Sequence, residues 1–446
     1  MRRTTTLTAL AGLAALPLGL GLPVAPAQAA ETCDGRTATI VVPAKPGAFS
    51  TDPVVGTPGD DVIVGTNRYD VIDGAGGNDT ICGLAGRDEI AGGPGDDRLF
   101  GGLDEAYSPD DDYFGDTITP GPGDDYVDLG HDPESEDLFD LDIGYWDQVS
   151  YEDAAGPVIV DLGAGTATGE GTDTIAAITF GGGVEGSAYD DRLTGHDGPD
   201  WITAGGGDDV VTGKDGDDLV DADDVSRYRS RGADPRPGDD VVDGGGGDDD
   251  VAGGHGADLL SGGSGRDWLR ADAGSGTRVL GGPGHDIVGG SGDTVAEGQG
   301  GRDVLWAVVD GPGLIEVDGG EGRDEVRLDV ARDLPEGTRV VIGRTRGVVS
   351  IEGEQAVRFS SAPRLDLNAM HAGPVTWYGT GGADVVDLEN SNRAVRAYGR
   401  GGNDKITGSW KRDVLDGGAG RDAIDGSLGR DRCLRGERLS SCERRR

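Results

Sequence analysis

Between Gly56 and Phe100 the hydrophobic positions return every ninth residue, at Ile63, Ile72, Ile81, Ile90 and Leu99. An aspartate stands two residues before each, at Asp61, Asp70, Asp79, Asp88 and Asp97, and glycine opens each unit at Gly56, Gly65, Gly74, Gly83 and Gly92. Side chains alternate faces along an extended segment, so the sixth and eighth residues of a unit point the same way. The aspartate closes a turn where a short strand begins, and the aliphatic anchors that strand inside. A period this short predicts a β-solenoid of stacked turns rather than a conventional core.

The same spacing recurs down the chain. Array 1 spans 56–130, with an acidic insertion at 103–119 before the motif resumes at Asp125. In 131–185 the period is lost, but Gln148-Val149-Ser150, Val158 to Leu162 and Asp173-Thr174-Ile175 remain strand-like and read as longer rungs of one coil. Array 2 spans 186–328, with Asp191, Asp200, Asp209 and Asp218, a break at 225–237, then Asp240, Asp249, Asp258, Asp267, Asp286, Asp303 and Asp324. Residues 329–378 hold β runs and few repeat signals, and read as a continued irregular solenoid or a separate small module. Array 3 spans 379–432, with Asp384, Asp404, Asp413, Asp422 and Asp431. Of these 22 aspartates, 21 are followed two residues later by Val, Ile or Leu, the exception being Cys433. A β-branched run from Thr37 to Val42 predicts an opening strand within an N-terminal cap at 30–55, and 433–446 forms a C-terminal cap with a basic tail.

Composition agrees with this reading. The chain of 446 residues has 85 glycines against 6 Phe, 6 Trp and 10 Tyr, too few aromatics for conventional cores. Its start, Met1-Arg2-Arg3, an apolar stretch from Leu7 to Leu22 and Ala27-Gln28-Ala29, has the layout of a secretory signal peptide cut after residue 29, with a membrane anchor as the alternative. The formal charge is -44, and the leader carries only Arg2 and Arg3, so its removal leaves -46. Such a surface repels nucleic acid. A disordered acidic chain would not hold its acids in register, as this one does. In an oxidising compartment the four cysteines should pair. Three connectivities are open, and Cys33 with Cys82 and Cys433 with Cys442 is favoured because each pair staples one end.

Glycine turns let main-chain carbonyls converge, and one carboxylate per turn adds to them. Calcium takes six to eight oxygens at about 2.3 to 2.6 Å, and rungs about 4.8 Å apart supply such a set. Magnesium needs a tighter octahedron, and soft metals need His or Cys, which these turns lack. Without a cation, carboxylates about 5 Å apart repel by roughly 0.8 kcal/mol in bulk water and about 3 kcal/mol at an effective dielectric of 20. Summed over a ladder, this exceeds the net stability of an ordinary domain, so folding and calcium binding are expected to be one event.

The units GGPGDDRLF at Gly92, GAGGNDTIC at Gly74, GGSGRDWLR at Gly262 and GGAGRDAID at Gly417 resemble the nonapeptide of repeats-in-toxin (RTX), haemolysin-type calcium-binding proteins. The resemblance implies an all-β, parallel β-roll: two units make one coil, the turns line both edges, and each Ca2+ lies between successive turns of one edge. All 22 aspartates are then metal-site residues. Arg68, in place of the fourth-position glycine of its unit, marks a weaker turn.

Relatives often carry an enzyme beside the repeats, but neither HExxH nor GxSxG occurs. His196, His255 and His285 fall in repeat turns and read as exposed; His131 and His371 are scattered. Trp201, Trp268, Trp377 and Trp410 read as exposed tryptophans, either a sugar- or protein-binding stripe or, more plainly, packing against insertions. The expectation is a secreted, non-enzymatic, calcium-binding structural or adhesive module. Its partners would be calcium and a cell-surface or matrix polysaccharide or protein, with no nucleic acid and no membrane span once the leader is cut. The competing readings are a calcium-dependent hydrolase or lyase with its site in 131–185 or 329–378, and a toxin.

Overall fold

The computed structural model describes residues 31–43, 53–103, 115–130, 147–178, 181–223, 238–309, 314–330, 340–343, 348–351, 354–360, 364–368 and 375–443. The leader, most of the insertion at 103–119, the break at 225–237, His131, His371 and the basic end 444–446 lie outside them.

Every described element is a strand, and all but the two that open the chain join one sheet. The pairing follows from the period. Val62–Val64 pairs in parallel with Thr80–Ala85, placing Ile63 beside Ile81; Ile81 then pairs with Leu99, and Leu99 with Val127. Alternate units build the opposite face, where Ile72 pairs with Ile90, Ile90 with Ile118 and Ile118 with Val149. Each strand therefore stacks on the strand two units away, and the chain winds a flattened parallel coil. The aliphatics form two facing columns and are buried from Ile63 to Ile424. Burying each such side chain is worth about 1.5 to 3 kcal/mol.

The opening strand is shorter than the sequence predicts. The run from Thr37 to Val42 is divided: Arg36–Thr37 pairs antiparallel with Thr32–Cys33, and Ile40–Val41 alone starts the coil against Ile63–Val64. Disulfides join Cys33 to Cys82 and Cys433 to Cys442, each with Cα atoms 5.8 Å apart, so the favoured pairing holds.

Both irregular segments stay within the coil through one device. Ile159–Asp161, Thr166–Thr168 and Thr172–Ile175 form an antiparallel triplet. Its last strand stacks in parallel on Tyr126–Gly130 of array 1, and its first stacks in parallel under Arg192–Thr194 of array 2. Val340–Gly343, Val348–Ile351 and Glu354–Ser360 repeat the arrangement, the last strand on Ile315–Asp318 and the first under Val375–Tyr378. Val160 and Ala167 keep the core column filled through the first reversal.

One tryptophan corrects the sequence reading. Trp377 is not exposed but fully buried, registered between Ile342 and Ala397, whose small side chain leaves room for the indole. Trp268 and Trp410 are exposed, and Trp201 is half-buried.

Since each rung rests on one aliphatic, Ile202→Ala is expected to cost about 2 to 5 kcal/mol. Denaturant unfolding in saturating calcium checks this; a change below 1 kcal/mol would mean that the column is not what holds the rungs together.

Candidate metal centres

All 22 motif aspartates are buried, and they lie in six columns, two per array, one on each edge of the coil. Within a column the carboxylate grips its neighbour: the Asp61 N–H donates to Asp79 Oδ1 at 2.8 Å, Asp79 to Asp97 Oδ1 at 2.7 Å and Asp97 to Asp125 Oδ1 at 2.7 Å. The other edge runs from Asp70 to Asp88. In array 2 one column passes from Asp191 through Asp209 and Asp240 to Asp258, and the other from Asp200 through Asp218, Asp249, Asp267, Asp286 and Asp303 to Asp324. In array 3 the columns are Asp384, Asp404, Asp422 and Asp413, Asp431.

One oxygen of each carboxylate thus serves the stack, and the other decides the chemistry. Oδ2 accepts no hydrogen bond in thirteen aspartates: Asp79, Asp97, Asp125, Asp209, Asp218, Asp240, Asp249, Asp267, Asp286, Asp303, Asp324, Asp422 and Asp431. A buried, unsatisfied charged oxygen is costly, and thirteen in register call for a shared partner. The glycine that opens the unit lies against it. A Cβ on Gly74 would meet Asp79 Oδ2 and the Gly92 carbonyl oxygen of the next rung, both at 2.5 Å. A Cβ on Gly95, at the fourth position, would lie 1.9 Å from the Gly77 carbonyl oxygen, so rungs pack this closely only without side chains there.

Among the described residues no three His, Cys, Asp or Glu side chains converge as a metal-ligating group. The atoms that do converge are oxygens: one carboxylate per turn and main-chain carbonyls of adjacent rungs. That donor set fits a hard cation such as calcium, and does not fit zinc or copper.

Six turns differ. Asp61 Oδ2 accepts the Thr57 N–H at 2.7 Å and its hydroxyl at 2.8 Å, and Asp70 Oδ2 accepts the same two groups of Thr66. Ser187 bonds Asp191 in this way, Thr380 bonds Asp384 and Ser409 bonds Asp413. His196 donates its N–H to Asp200 Oδ2 at 2.6 Å, and its Nδ1 lies 2.8 Å from Asp200 Oδ1. His196 is therefore buried, not the exposed turn residue its position suggested, whereas His255 and His285 are exposed. A seventh carboxylate, Asp258, meets the Thr277 hydroxyl at 3.4 Å.

The structure adds residues that the nine-residue register hides. Asp116, Asp147 and Asp173 are buried and continue the array 1 columns, accepting the N–H groups of Asp88, Asp116 and Asp125. Each keeps the aspartate-to-aliphatic spacing, with Ile118, Val149 and Ile175, and that pair was the available signal. A second ladder lies beside the first at the fifth position, where Asn78 N–H donates to Asp60 Oδ1, Asp96 to Asn78 and Asp124 to Asp96, at 2.9 to 3.1 Å.

Burial, opposed in part by the backbone hydrogen bond to Oδ1, pushes the Asp97 and Asp125 carboxyls up to about 7, and those of Asp209, Asp218 and Asp240 to about 8. Asp61, held by the Thr57 N–H, is instead lowered.

A family model described as RTX calcium-binding nonapeptide repeat (4 copies) matches residues 55–90, 83–105, 185–220, 236–260, 243–277, 288–307 and 398–433. These matches fall in all three arrays. No curated protein matches the chain.

The raised carboxyls set a pH dependence in the absence of metal. An unfolded aspartate titrates near 3.9, so between about pH 4 and 8 the ion-free fold holds more protons than the unfolded chain. Its stability is present below about pH 4 and is lost as pH rises toward 8. Circular dichroism of the calcium-stripped chain should therefore show β signal growing as pH falls from 8 to 5, and no such change with calcium bound; a metal-free signal that is flat or weakens on acidification would contradict this.

Proposed function

We propose that this chain, in which RTX calcium-binding nonapeptide repeats recur through all three arrays, is a secreted structural or adhesive module whose folding is coupled to cooperative calcium binding. The supporting observation is the set of thirteen buried Oδ2 atoms in register. Calcium bound between rungs offsets their desolvation and mutual repulsion, and an oxygen-only donor set is what that ion takes. Stacked ladders share turns, so each ion orders the turn that the next one uses, which is the physical basis for cooperativity. Binding that occurs only in the folded coil stabilises it by mass action.

Secretion is supported by the leader-like start and by two disulfides at the ends of the coil, which suit an oxidising compartment. Among the described residues no helix is long and apolar enough to cross a membrane. A long acidic coil has an extended surface for a cell-surface or matrix polysaccharide or protein, with calcium available to bridge acidic groups. A non-enzymatic role is the reading we adopt; turnover of a polysaccharide or ester substrate that is abolished by substitutions in 131–185 or 329–378 would replace it with an enzyme.

Circular dichroism of the chain in excess chelator and in millimolar calcium tests the coupling. The expected result is a β spectrum that appears with calcium over a narrow concentration range at pH 7.5. An identical β spectrum in both conditions would overturn the coupling.

A further inference from the structure

The six turns whose second residue bonds its own aspartate are not scattered. Asp61 and Asp70 begin the two columns of array 1, Asp191 and Asp200 those of array 2, and Asp384 and Asp413 those of array 3. Where the preceding rung is described, none of the 22 motif aspartates stands before them: Val158 is level with Asp191 and Val395 with Asp413, each donating its N–H to that aspartate's Oδ1, and Gly182 is level with Asp200. We propose that these six opening turns are ion-free starter rungs, and that calcium enters each column only from its second turn onward. This rests on the calcium-binding reading and specifies which turns carry it out.

Two features beyond the hydrogen bonds separate the classes. The first is backbone conformation at the second residue. In every turn with an unsatisfied Oδ2 whose second residue is described, that residue is left-handed, even where it is not glycine: Ala75 (φ 74°), Lys214 (φ 93°), Gln299 (φ 70°) and Ser427 (φ 61°). None of the six opening turns does this. A left-handed non-glycine residue is strained, and such strain is retained where it orients groups toward a ligand. The opening turns, with no ligand to hold, take the relaxed conformation.

The second feature is the fourth residue. It is glycine in all thirteen unsatisfied turns, and in most of them its φ is positive, as at Gly77 and Gly420. Three opening turns have Arg68, Tyr189 and Lys411 there instead. Large side chains are tolerated because a starter rung needs no positive φ at that point.

Ser427 separates the position in the column from the residue type. It is a hydroxyl residue at the second position of the Asp431 turn, the second turn of its column. Its N–H turns away to Asp425 Oδ1 at 3.0 Å, and Asp431 Oδ2 is left without a hydrogen bond. An aspartate that already accepts an N–H and a hydroxyl would surrender both to an ion, whereas the open carboxylates surrender nothing. A starter rung held by its own hydrogen bonds gives the first ion-bearing turn a surface to stack on, and each array carries one on both edges. Each antiparallel triplet is followed by a new pair of starters.

Calcium stoichiometry of the full chain, measured by equilibrium dialysis, tests this. Asp61→Asn and Asp191→Asn are expected to keep the parent number of ions, while Asp79→Asn and Asp209→Asn each lose at least one, with circular dichroism in saturating calcium confirming that every variant folds. If the opening-turn variants lose ions as the second-turn variants do, the starter assignment is wrong. Should an aspartate variant not fold, Thr66→Ala and Ser409→Ala take its place: an unchanged ion count supports the assignment and loss of an ion overturns it. If the parent chain itself binds no calcium, it is the calcium-binding reading that fails.

Discussion

The buried carboxylate of each turn is the constraint from which the rest follows. One oxygen holds the amide of the preceding rung, as Asp97 Oδ1 holds Asp79, so the acid cannot leave the interior without unstacking the coil. The other oxygen is then buried with it. Glycine is needed where a Cβ would collide with that oxygen or with the neighbouring carbonyl, and an aliphatic is needed two residues on to fix the strand that the aspartate opens. The acidity of the chain, its glycine content and its nine-residue period are consequences of one geometry.

That geometry explains what the sequence disclosed. The 22 aspartates and their aliphatic partners were legible because two independent requirements, stacking and burial, act at a fixed spacing, and the all-β parallel coil followed from them. Asp116 was hidden because the insertion separates it from Gly101, whose Cβ position lies 2.3 Å from Asp116 Oδ2. His196 was misread because a polar turn residue is ordinarily solvated, whereas here the backbone points it at its own carboxylate. The interior position of Trp377 depends on Ala397 twenty residues later, a pairing that appears only once the register is known. The antiparallel triplets carried no residue signature, since a strand reversing direction keeps the same alternation as one that does not.

The coil is also punctuated. Three arrays, each with a column on both edges, are separated by two antiparallel reversals that stack in parallel on the rungs before and after them, and Val160 and Ala167 keep the interior filled through the first. Column ends are closed by other oxygens: Thr277 Oγ1 accepts the Asp258 N–H, and Glu437 accepts that of Asp422. The cation dependence proposed for this chain therefore resides in the edges, and the core that joins them is ordinary aliphatic packing. Disulfides secure the two ends, where a rung has a neighbour on one side only.

The central claim is that a cation on each turn after the opening one of its column, not at a few isolated sites, neutralises the buried columns. Counting bound calcium by native mass spectrometry of the intact chain tests it most directly. The account predicts on the order of a dozen ions, close to the number of unsatisfied carboxylates and filled over a narrow range of free calcium. A chain that is fully folded with two or three ions bound would contradict it.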